Sequence, residues 1–522
     1  MVEFTPWAQT GTYQVRKDND IQILIDGQTA YKEIAEAFKR AKKFIYLTIS
    51  YCGNNGDFLL VPETGETLFD ILRSGASEGV DVCMVIWQPA TKTDDTIPDQ
   101  QIAGVNEGPG SIQARWDKAK GYSGLYKSPH GYFPPIPLDI PSFLGCHHQK
   151  TYSMDDGGDG YVAFVGGINP VQAYWDTPAH DSLDVRRVEW KYPNPLKKLE
   201  EVPPLHDIFY RIKGPAVGDV LANFVERFNG ASLPHTDVTS DVVAPVSPDQ
   251  ISPVPNGVEV QVLRTIAPHT YPAITKGEQG IRELYLNALS AAGAGSLVYI
   301  ENQYFFDHGI ISEIYEAAEK RDAKIIALLT SKPDEGLIQG KAESFIEKFI
   351  TNYGDVLQLV ARHDNVALHT LGNCRPDPRT PGKFIYRETY IHSKTMAVFT
   401  PDWTVMTGGS ANIAFTSMWF HSEMNIAFMD PDLIKGWVAR LWCEHLQISV
   451  DEAKDLIGKP NEALARFKAQ ATSNLAKLNS NQAPEGRVFD REGWNDTNIP
   501  AQDLTGIVLP VPLADGGRDC QG

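Results

Sequence analysis

No uninterrupted apolar stretch in this 522-residue chain is long enough to cross a bilayer, since a spanning helix needs about 20 consecutive, mostly apolar residues. The opening residues MVEFTPWAQTGTYQVRKDND also lack the charged segment and apolar core of a secretory signal peptide. Cysteine is scarce. Six residues, at positions 52, 83, 146, 374, 443 and 520, form neither a CxxC pair nor a zinc-like spacing, so free and mostly buried thiols are expected. Positive charge is in deficit as well: 47 Lys and Arg against 66 Asp and Glu leave a formal charge of −19. Such a field repels nucleic acid, and any anion site must be a local basic pocket.

What is present is written twice. Residues 21–51 read as strand, amphipathic helix, strand, and residues 258–306 repeat the formula. Each unit is followed by a further helix and apolar strand, LFDILRSGASEGVDVCMVIWQ in the first half and IISEIYEAAEKRDAKIIALLT in the second. Strands alternating with helices point to parallel α/β sheet. The expected division is an N-terminal lobe over 1–231, a Pro-rich linker over 232–257, a C-terminal lobe over 258–450, and a helix with an extended tail over 451–522.

Both halves carry the same short arrangement. HHQKTYSMDDGGDGYVAFVGGIN in the first is matched by YIHSKTMAVFTPDWTVMTGGSAN in the second. His148 and Lys150 correspond to His392 and Lys394, while Gly166, Gly167 and Asn169 correspond to Gly409, Ser410 and Asn412. A strand carrying His-x-Lys points both side chains to one face. The small residues let the backbone approach a bound group, and each Asn offers an amide donor. One His-x-Lys is usually a solvated strand face, but two copies at matching places in a duplicated unit point to a shared site. Zinc at His147 and His148 is disfavoured, because no further Cys or His follows at ligand spacing and Lys150 would repel a cation.

Two His, two Lys and two Asn converging across a pseudo-twofold would form a cationic, donor-rich pocket suited to a phosphoryl group. One neutral imidazole can attack phosphorus while the other, protonated, supplies the leaving oxygen with a proton, giving a phosphohistidine intermediate. Each ring then needs a carboxylate to fix its tautomer. Asp207, in PLHDIFYRIKG, and Glu423, in WFHSEMNIAF, are candidates.

These segments resemble the paired HxKx4D motifs of the phospholipase D superfamily. HHQK, FVGGIN, YWDTPAHD, LHDIFYRIKGPAVGDVLANFVERF, YIENQYF, YIHSK, GSAN and LWCEHL are similar to its plant and bacterial phospholipase D branch, over about residues 20–450. The resemblance implies two similar α/β/α sandwich lobes related by a pseudo-twofold, with one active site at their interface. It implies His148 as nucleophile, His392 as general acid/base, Lys150, Lys394, Asn169 and Asn412 on phosphate, and Asp207 and Glu423 orienting the imidazoles. Asp155 stands at the family's motif spacing, with Asp159 a neighbour able to take over its role. At the matching place in the second half stands Phe399, and the nearest acid is Asp402.

The expected activity is phospholipase D cleavage of the terminal phosphodiester of a glycerophospholipid such as phosphatidylcholine, with transphosphatidylation. The alternatives are a nuclease or other phosphodiesterase on the same scaffold, or a non-catalytic lipid-binding descendant. No cofactor is required for the chemistry, no metal is assigned, and calcium stimulation is compatible with interfacial binding although no EF-hand pattern occurs. Expected partners are a phospholipid and, transiently, a membrane surface, with no nucleic acid and a monomeric chain. The aromatic, Pro-rich stretch 121–145 reads equally as a lip entering a bilayer interface or as a packed loop. Trp175, Tyr304 and Trp419 flank the motifs and read as pocket lining or core. The first repeat begins near residue 21, so no long membrane-targeting domain is expected before it. Localisation is cytoplasmic, or exported without a signal peptide.

Overall fold

The computed structural model describes residues 5–50, 59–88, 112–117, 122–126, 136–140, 145–158, 160–188, 202–231, 246–271, 274–331, 360–378 and 380–490. The first lobe is built on strands β1 (Arg16–Ile25), β2 (Phe44–Ile49), β3 (Asp81–Trp87), β4 (Ile112–Asp117), β5 (Thr151–Asp155), β6 (Tyr161–Gly166) and β7 (Ile208–Lys213). The second repeats them as β8 (Val258–Ile266), β9 (Leu297–Asn302), β10 (Lys324–Leu329), β11 (Val366–Pro376), β12 (Lys394–Phe399), β13 (Thr404–Gly409) and β14 (Glu423–Met429).

In space the first sheet runs β1, β7, β6, β5, β2, β3, β4. The second runs β8, β14, β13, β12, β9, β10, β11, the same order seven strands later. Antiparallel pairing of β1 with β8, Arg16 opposite Val260 and Asn19 opposite Val258, joins the two sheets. The parallel pairing expected from strand–helix alternation occurs at β2, β3 and β4 and at their counterparts β9, β10 and β11. The remaining neighbours in each sheet pair antiparallel, because His-x-Lys strands β5 and β12 turn directly into β6 and β13.

Helices α1 (Asp26–Arg40) and α2 (Leu68–Ser77) cover the outer face of the first sheet. Tyr31, Ile34, Ala35 and Phe38 of α1 are buried at helical spacing. Within β2, Phe44 and Tyr46 face the middle of the molecule, whereas Ile45, Leu47 and Ile49 face α1 and α2. Helix α3 (Ala216–Gly230) fills the middle, with Phe224 stacked on Tyr46 at a centroid distance of 4.7 Å. In the second lobe α4 (Gly280–Ser290) and α5 (His308–Glu319) take the outer face. Helix α6 (Pro431–Leu446), started by the Asp430 carboxylate accepting from the Leu433 N–H at 2.9 Å, enters the same central core as α3. Tyr210 of β7 reaches across to the second lobe, its hydroxyl 2.8 Å from Thr395 Oγ1.

Of the tail, residues 491–522 lie outside the described residues. After α7 (Val450–Ile457) and α8 (Pro460–Asn479), residues Val488–Asp490 form a strand paired with β11. Val488 and Phe489 are buried there, which supplies the apolar contact that an extended surface tail would lack. Cys83, Cys146 and Cys374 form no disulfide, but Cys443 is disulfide-bonded, which spacing alone could not disclose. Of the stretch 121–145, Tyr122–Tyr126 and Ile136–Ile140 pair as an antiparallel hairpin, and most of the rest lies outside the described residues. So do residues 232–245 of the linker and Asp159.

Candidate active site

The two motifs meet at the lobe junction, and each histidine is held by the opposite lobe. His148 Nδ1 lies 3.0 and 3.1 Å from the two Glu423 carboxylate oxygens and 3.1 Å from the Ser410 carbonyl. His392 Nδ1 lies 2.6 Å from Asp207 Oδ2. The backbone repeats this exchange: the His148 N–H donates to the Ser422 carbonyl at 2.9 Å, and the His392 N–H to the His206 carbonyl at 2.8 Å. Asp207 and Glu423 occupy equivalent places at the start of β7 and β14, so the swap follows the pseudo-twofold. Every partner of His148 Nδ1 is an acceptor, which places its proton on Nδ1 and leaves the Nε2 lone pair outward. The His148 side chain is 18% exposed against 4% for His392, so the former is the more accessible ring.

His148 and Lys150 precede β5, and His392 precedes β12, of which Lys394 is the first residue. Lys150 Nζ donates to the His148 carbonyl at 2.7 Å, and Lys394 Nζ likewise bonds the His392 carbonyl. Lys394 also reaches Gln303 Oε1 at 3.1 Å, a residue that the motif comparison passed over although it stands in YIENQYF. Asn169 and Asn412 are buried. The GSAN turn is shaped from behind: Asn425 Oδ1 accepts from Ala411 N at 3.1 Å and Asn302 Oδ1 from Ile413 N at 3.0 Å.

The small residues have distinct reasons. A Cβ on Gly167 would stand 2.6 Å from Asp207 Oδ1, so only glycine lets that carboxylate through to His392. Its counterpart Ser410 does the opposite and uses its hydroxyl, which donates to Glu423 Oε2 at 2.6 Å. Gly166 and Gly409 press against Phe209 and against the Met424 and Asn425 backbone, respectively. Asp155 lies away from the histidines. Its carboxylate accepts from the backbone N–H groups of Lys42, Lys43 and Phe44 at 2.9, 2.7 and 3.0 Å, tying the turn between α1 and β2. In the second lobe the matching turn is closed by Ser296 Oγ, which accepts from Gly293 N at 3.1 Å, while Asp402 is exposed. His147 turns away to Ser422 Oγ at 2.7 Å and Asp117 Oδ1 at 3.1 Å. Trp175 and Trp419 are core, and it is Tyr174 that meets His392 edge-on, 4.8 Å between centroids.

Burial of so many charges in one junction moves their equilibria. Burial lowers Lys150 to about 8, partly offset by Glu423, and lowers Lys394 to about 7 despite Asp207. Burial, then Lys394, Lys150 and His148, holds His392 well below the usual imidazole range, and burial with Lys150 lowers His148. The two carboxylates differ. Burial opposes ionisation of Glu423, yet His148 and Lys150 keep it below its ordinary value. Burial pushes Asp207 up to about 7. Glu423 is therefore an ionised partner of His148, whereas Asp207, raised by burial, faces His392 Nδ1 at 2.6 Å.

Two lysines and two oriented imidazoles meet at the junction of a two-lobed α/β protein. The family description "Phospholipase D" matches residues 37–332, more than half of the sequence, and the chain belongs to the phospholipase D family. It is 24% identical over 486 residues to phospholipase D A of Dictyostelium discoideum, covering 82% of this chain and 35% of that protein. It is 27% identical over 558 residues to phospholipase D alpha 1 of Zea mays, covering 84% and 66%. The chain thus spans only part of these relatives, and 38% of phospholipase D gamma 3 of Arabidopsis thaliana. Among solved structures, phosphatidylserine synthase of Haemophilus influenzae aligns with 88% of this chain and 96% of its own, at 13% identity and a TM-score of 0.47.

Proposed function

We propose that the chain is a phospholipase D that hydrolyses the terminal phosphodiester of a glycerophospholipid such as phosphatidylcholine, and transfers the phosphatidyl group when another alcohol is present. The observation that carries this reading is the reciprocal pairing of His148 with Glu423 and His392 with Asp207 across the lobe junction. His148, with its proton fixed on Nδ1 and an ionised carboxylate behind it, attacks phosphorus through Nε2 as the bond to the headgroup oxygen breaks. His392, carrying a proton on Nε2 with Asp207 against Nδ1, gives that Nε2 proton to the oxygen, and the alcohol leaves. Water, or a second alcohol, then gives its proton to His392 and displaces His148, releasing phosphatidic acid or the exchanged lipid. Lys150 and Lys394, with Asn169 and Asn412, hold the non-bridging oxygens and the charge that grows on them.

No metal enters these steps. Among the described residues no helix is long and apolar enough to cross a membrane, which fits transient contact with a lipid surface. The formal charge of −19 disfavours nucleic acid as the diester.

The test is headgroup release from mixed micelles of choline, ethanolamine, serine and glycerol lipids, with acid-labile phosphate sought on His148 by mass spectrometry. The parent releases headgroup. His148→Ala abolishes both release and label. His392→Ala loses release of choline but retains a burst of p-nitrophenol from a p-nitrophenyl diester, whose leaving group needs no proton. Equal activity of parent and both variants, or cleavage of RNA or DNA with lipid untouched, overturns the reading.

A further inference from the structure

Behind the His392–Asp207 pair lies a second cluster that the proposed reaction does not use. Asp26, His180, His206 and Glu444 are buried at the lobe junction, the first three completely. One donor atom from each comes within 4.8 Å of the others. His180 Nε2 stands 3.0 Å from Glu444 Oε1 and 3.6 Å from Asp26 Oδ2. His206 Nδ1 stands 2.9 Å from Asp26 Oδ1 and 3.9 Å from Glu444 Oε1. The ligands of a tetrahedral zinc ion, bonded at about 2.0–2.1 Å, lie roughly 3.3 Å apart, within this spread.

The far side of each imidazole is also built as a metal ligand requires. His180 Nδ1 meets Asp176 Oδ2 at 3.1 Å, and His206 Nε2 meets Glu301 Oε2 at 3.1 Å. Those carboxylates are fixed in turn, Asp176 by the N–H groups of Thr177 and Leu205 at 2.8 Å each, and Glu301 by Ser393 Oγ at 2.7 Å. A carboxylate behind a histidine fixes the tautomer that offers its other nitrogen forward.

Two further observations point to a cation. Asp26 Oδ2 is fully buried, has no hydrogen-bond partner among the described residues and stands 3.6 Å from His180 Nε2, a costly state for a carboxylate oxygen unless a cation faces it closely. Asp26 also holds a left-handed backbone, φ 62°, which carries its carboxylate into the cluster. Asp26, Asp176, Glu301 and Glu444 face two guanidinium groups, Arg187 at 3.2 Å from Asp176 and Arg487 at 3.3 Å from Glu444, so the other two positive charges come from His180 and His206 as imidazolium ions or, with both rings neutral, from one divalent ion.

We propose that Asp26, His180, His206 and Glu444 bind one zinc ion, at a structural site distinct from the phosphate pocket. Two imidazole nitrogens and two carboxylate oxygens in a closed, four-fold setting suit zinc, whereas calcium asks for six to eight oxygens. The ion ties the first lobe, which supplies three ligands, to the second through Glu444. It also fixes His206, whose carbonyl accepts from the N–H groups of His392 and Ser393 at 2.8 and 3.2 Å. The four side chains are thereby positioning residues for His392, not catalytic ones.

The test expresses the full chain in zinc-supplemented medium, so that the ion is present during folding, and measures metal content after chelator dialysis and gel filtration. One zinc per chain is expected, with the absorption bands of tetrahedral cobalt after growth on Co2+. Glu444→Gln and Asp26→Asn, checked for folding by circular dichroism, lose at least nine-tenths of the metal, and the surface variant His363→Ala keeps it. Less than a tenth of an equivalent in the parent overturns the site and leaves the cluster held by two extra protons. Metal equally retained in both ligand variants also overturns it, since the ion then sits elsewhere. Neither result bears on headgroup release, which His148→Ala and His392→Ala test independently.

Discussion

The two lysines make affinity for an anion fall as pH rises through neutrality. Burial lowers Lys394 to about 7 and Lys150 to about 8. A phosphodiester between them favours the ammonium forms, so binding takes up protons. If both must be protonated, apparent affinity drops with one factor set by a pKa near 7 and another by a pKa near 8. Between pH 6 and pH 9 these multiply to about a thousandfold, or roughly 4 kcal/mol. The assay is calorimetric titration with a non-hydrolysable phosphonate monoester, a monoanion throughout this range, in buffers of different ionisation enthalpy. At pH 7.5 uptake of about one proton per ligand is expected, the sum of the two deficits. Lys394→Met removes the earlier of the two transitions. Stability of the free protein runs the other way. A lysine with a lowered folded-state pKa binds fewer protons than in the unfolded chain, so the melting temperature gains from these groups as pH rises from about 7 toward 10. A dissociation constant that stays flat from pH 6 to 9 with no proton uptake would falsify this account of the pocket.

Glu423→Gln removes the ionised partner of His148 Nδ1, and kcat on short-chain phosphatidylcholine is expected to fall by about 10²–10⁴-fold, with the far-ultraviolet dichroism of the parent. Gly167→Ala sets a methyl group 2.6 Å from Asp207 Oδ1; forced displacement costs about 1–3 kcal/mol. Its kcat defect should be larger on choline esters than on p-nitrophenyl diesters, and an equal defect on both would count against Asp207 serving the leaving group. Asp155→Ala strands three backbone N–H groups at a cost of about 2–4 kcal/mol. Thermal denaturation should show the loss, while kcat of the folded protein stays at the parental value.

Repetition was legible in the sequence because it is a property of order. The match of VEVQVLRTI to the first strand, and of both His-x-Lys segments with their small-residue endings, maps onto two sheets of identical strand order. Asp207 and Glu423 could be named because the family resemblance singles them out; by position alone each reads as a solvated carboxylate or a strand-end acceptor. Which histidine each serves could not, since it depends on how two lobes face one another, and no local pattern encodes that. The same holds for Gln303, which reaches Lys394 from a different strand, and for Ser296, which closes the turn that Asp155 closes in the first lobe. The strand at VFD was not legible because three residues are too few for periodicity to register. His180, His206, Glu301 and Glu444 lay in motif segments already noted, yet their convergence joins positions up to 264 apart in sequence.

The exchange of carboxylates between lobes makes lobe alignment part of the chemistry. In a site where each half held its own pair, a small rotation of one lobe would change only the fit of substrate. Here it lengthens both His–carboxylate contacts, now 3.0 and 2.6 Å, and hydrogen bonds weaken steeply over a few tenths of an ångström. One contact that sets this alignment is Tyr210, whose ring lies on Gly408 of the other lobe and whose hydroxyl meets Thr395 at 2.8 Å. A Cβ at Gly408 would run into that ring. Gly408→Ala, although outside the histidine pairs, is therefore expected to lower kcat by at least tenfold with little change in KM. Tyr210→Leu withdraws the ring, so the double variant should retain more activity than the product of the two single losses, the non-additivity expected of neighbours sharing one contact. Full activity in Gly408→Ala would show that the pairs tolerate lobe displacement, and simple additivity that the defect does not pass through Tyr210.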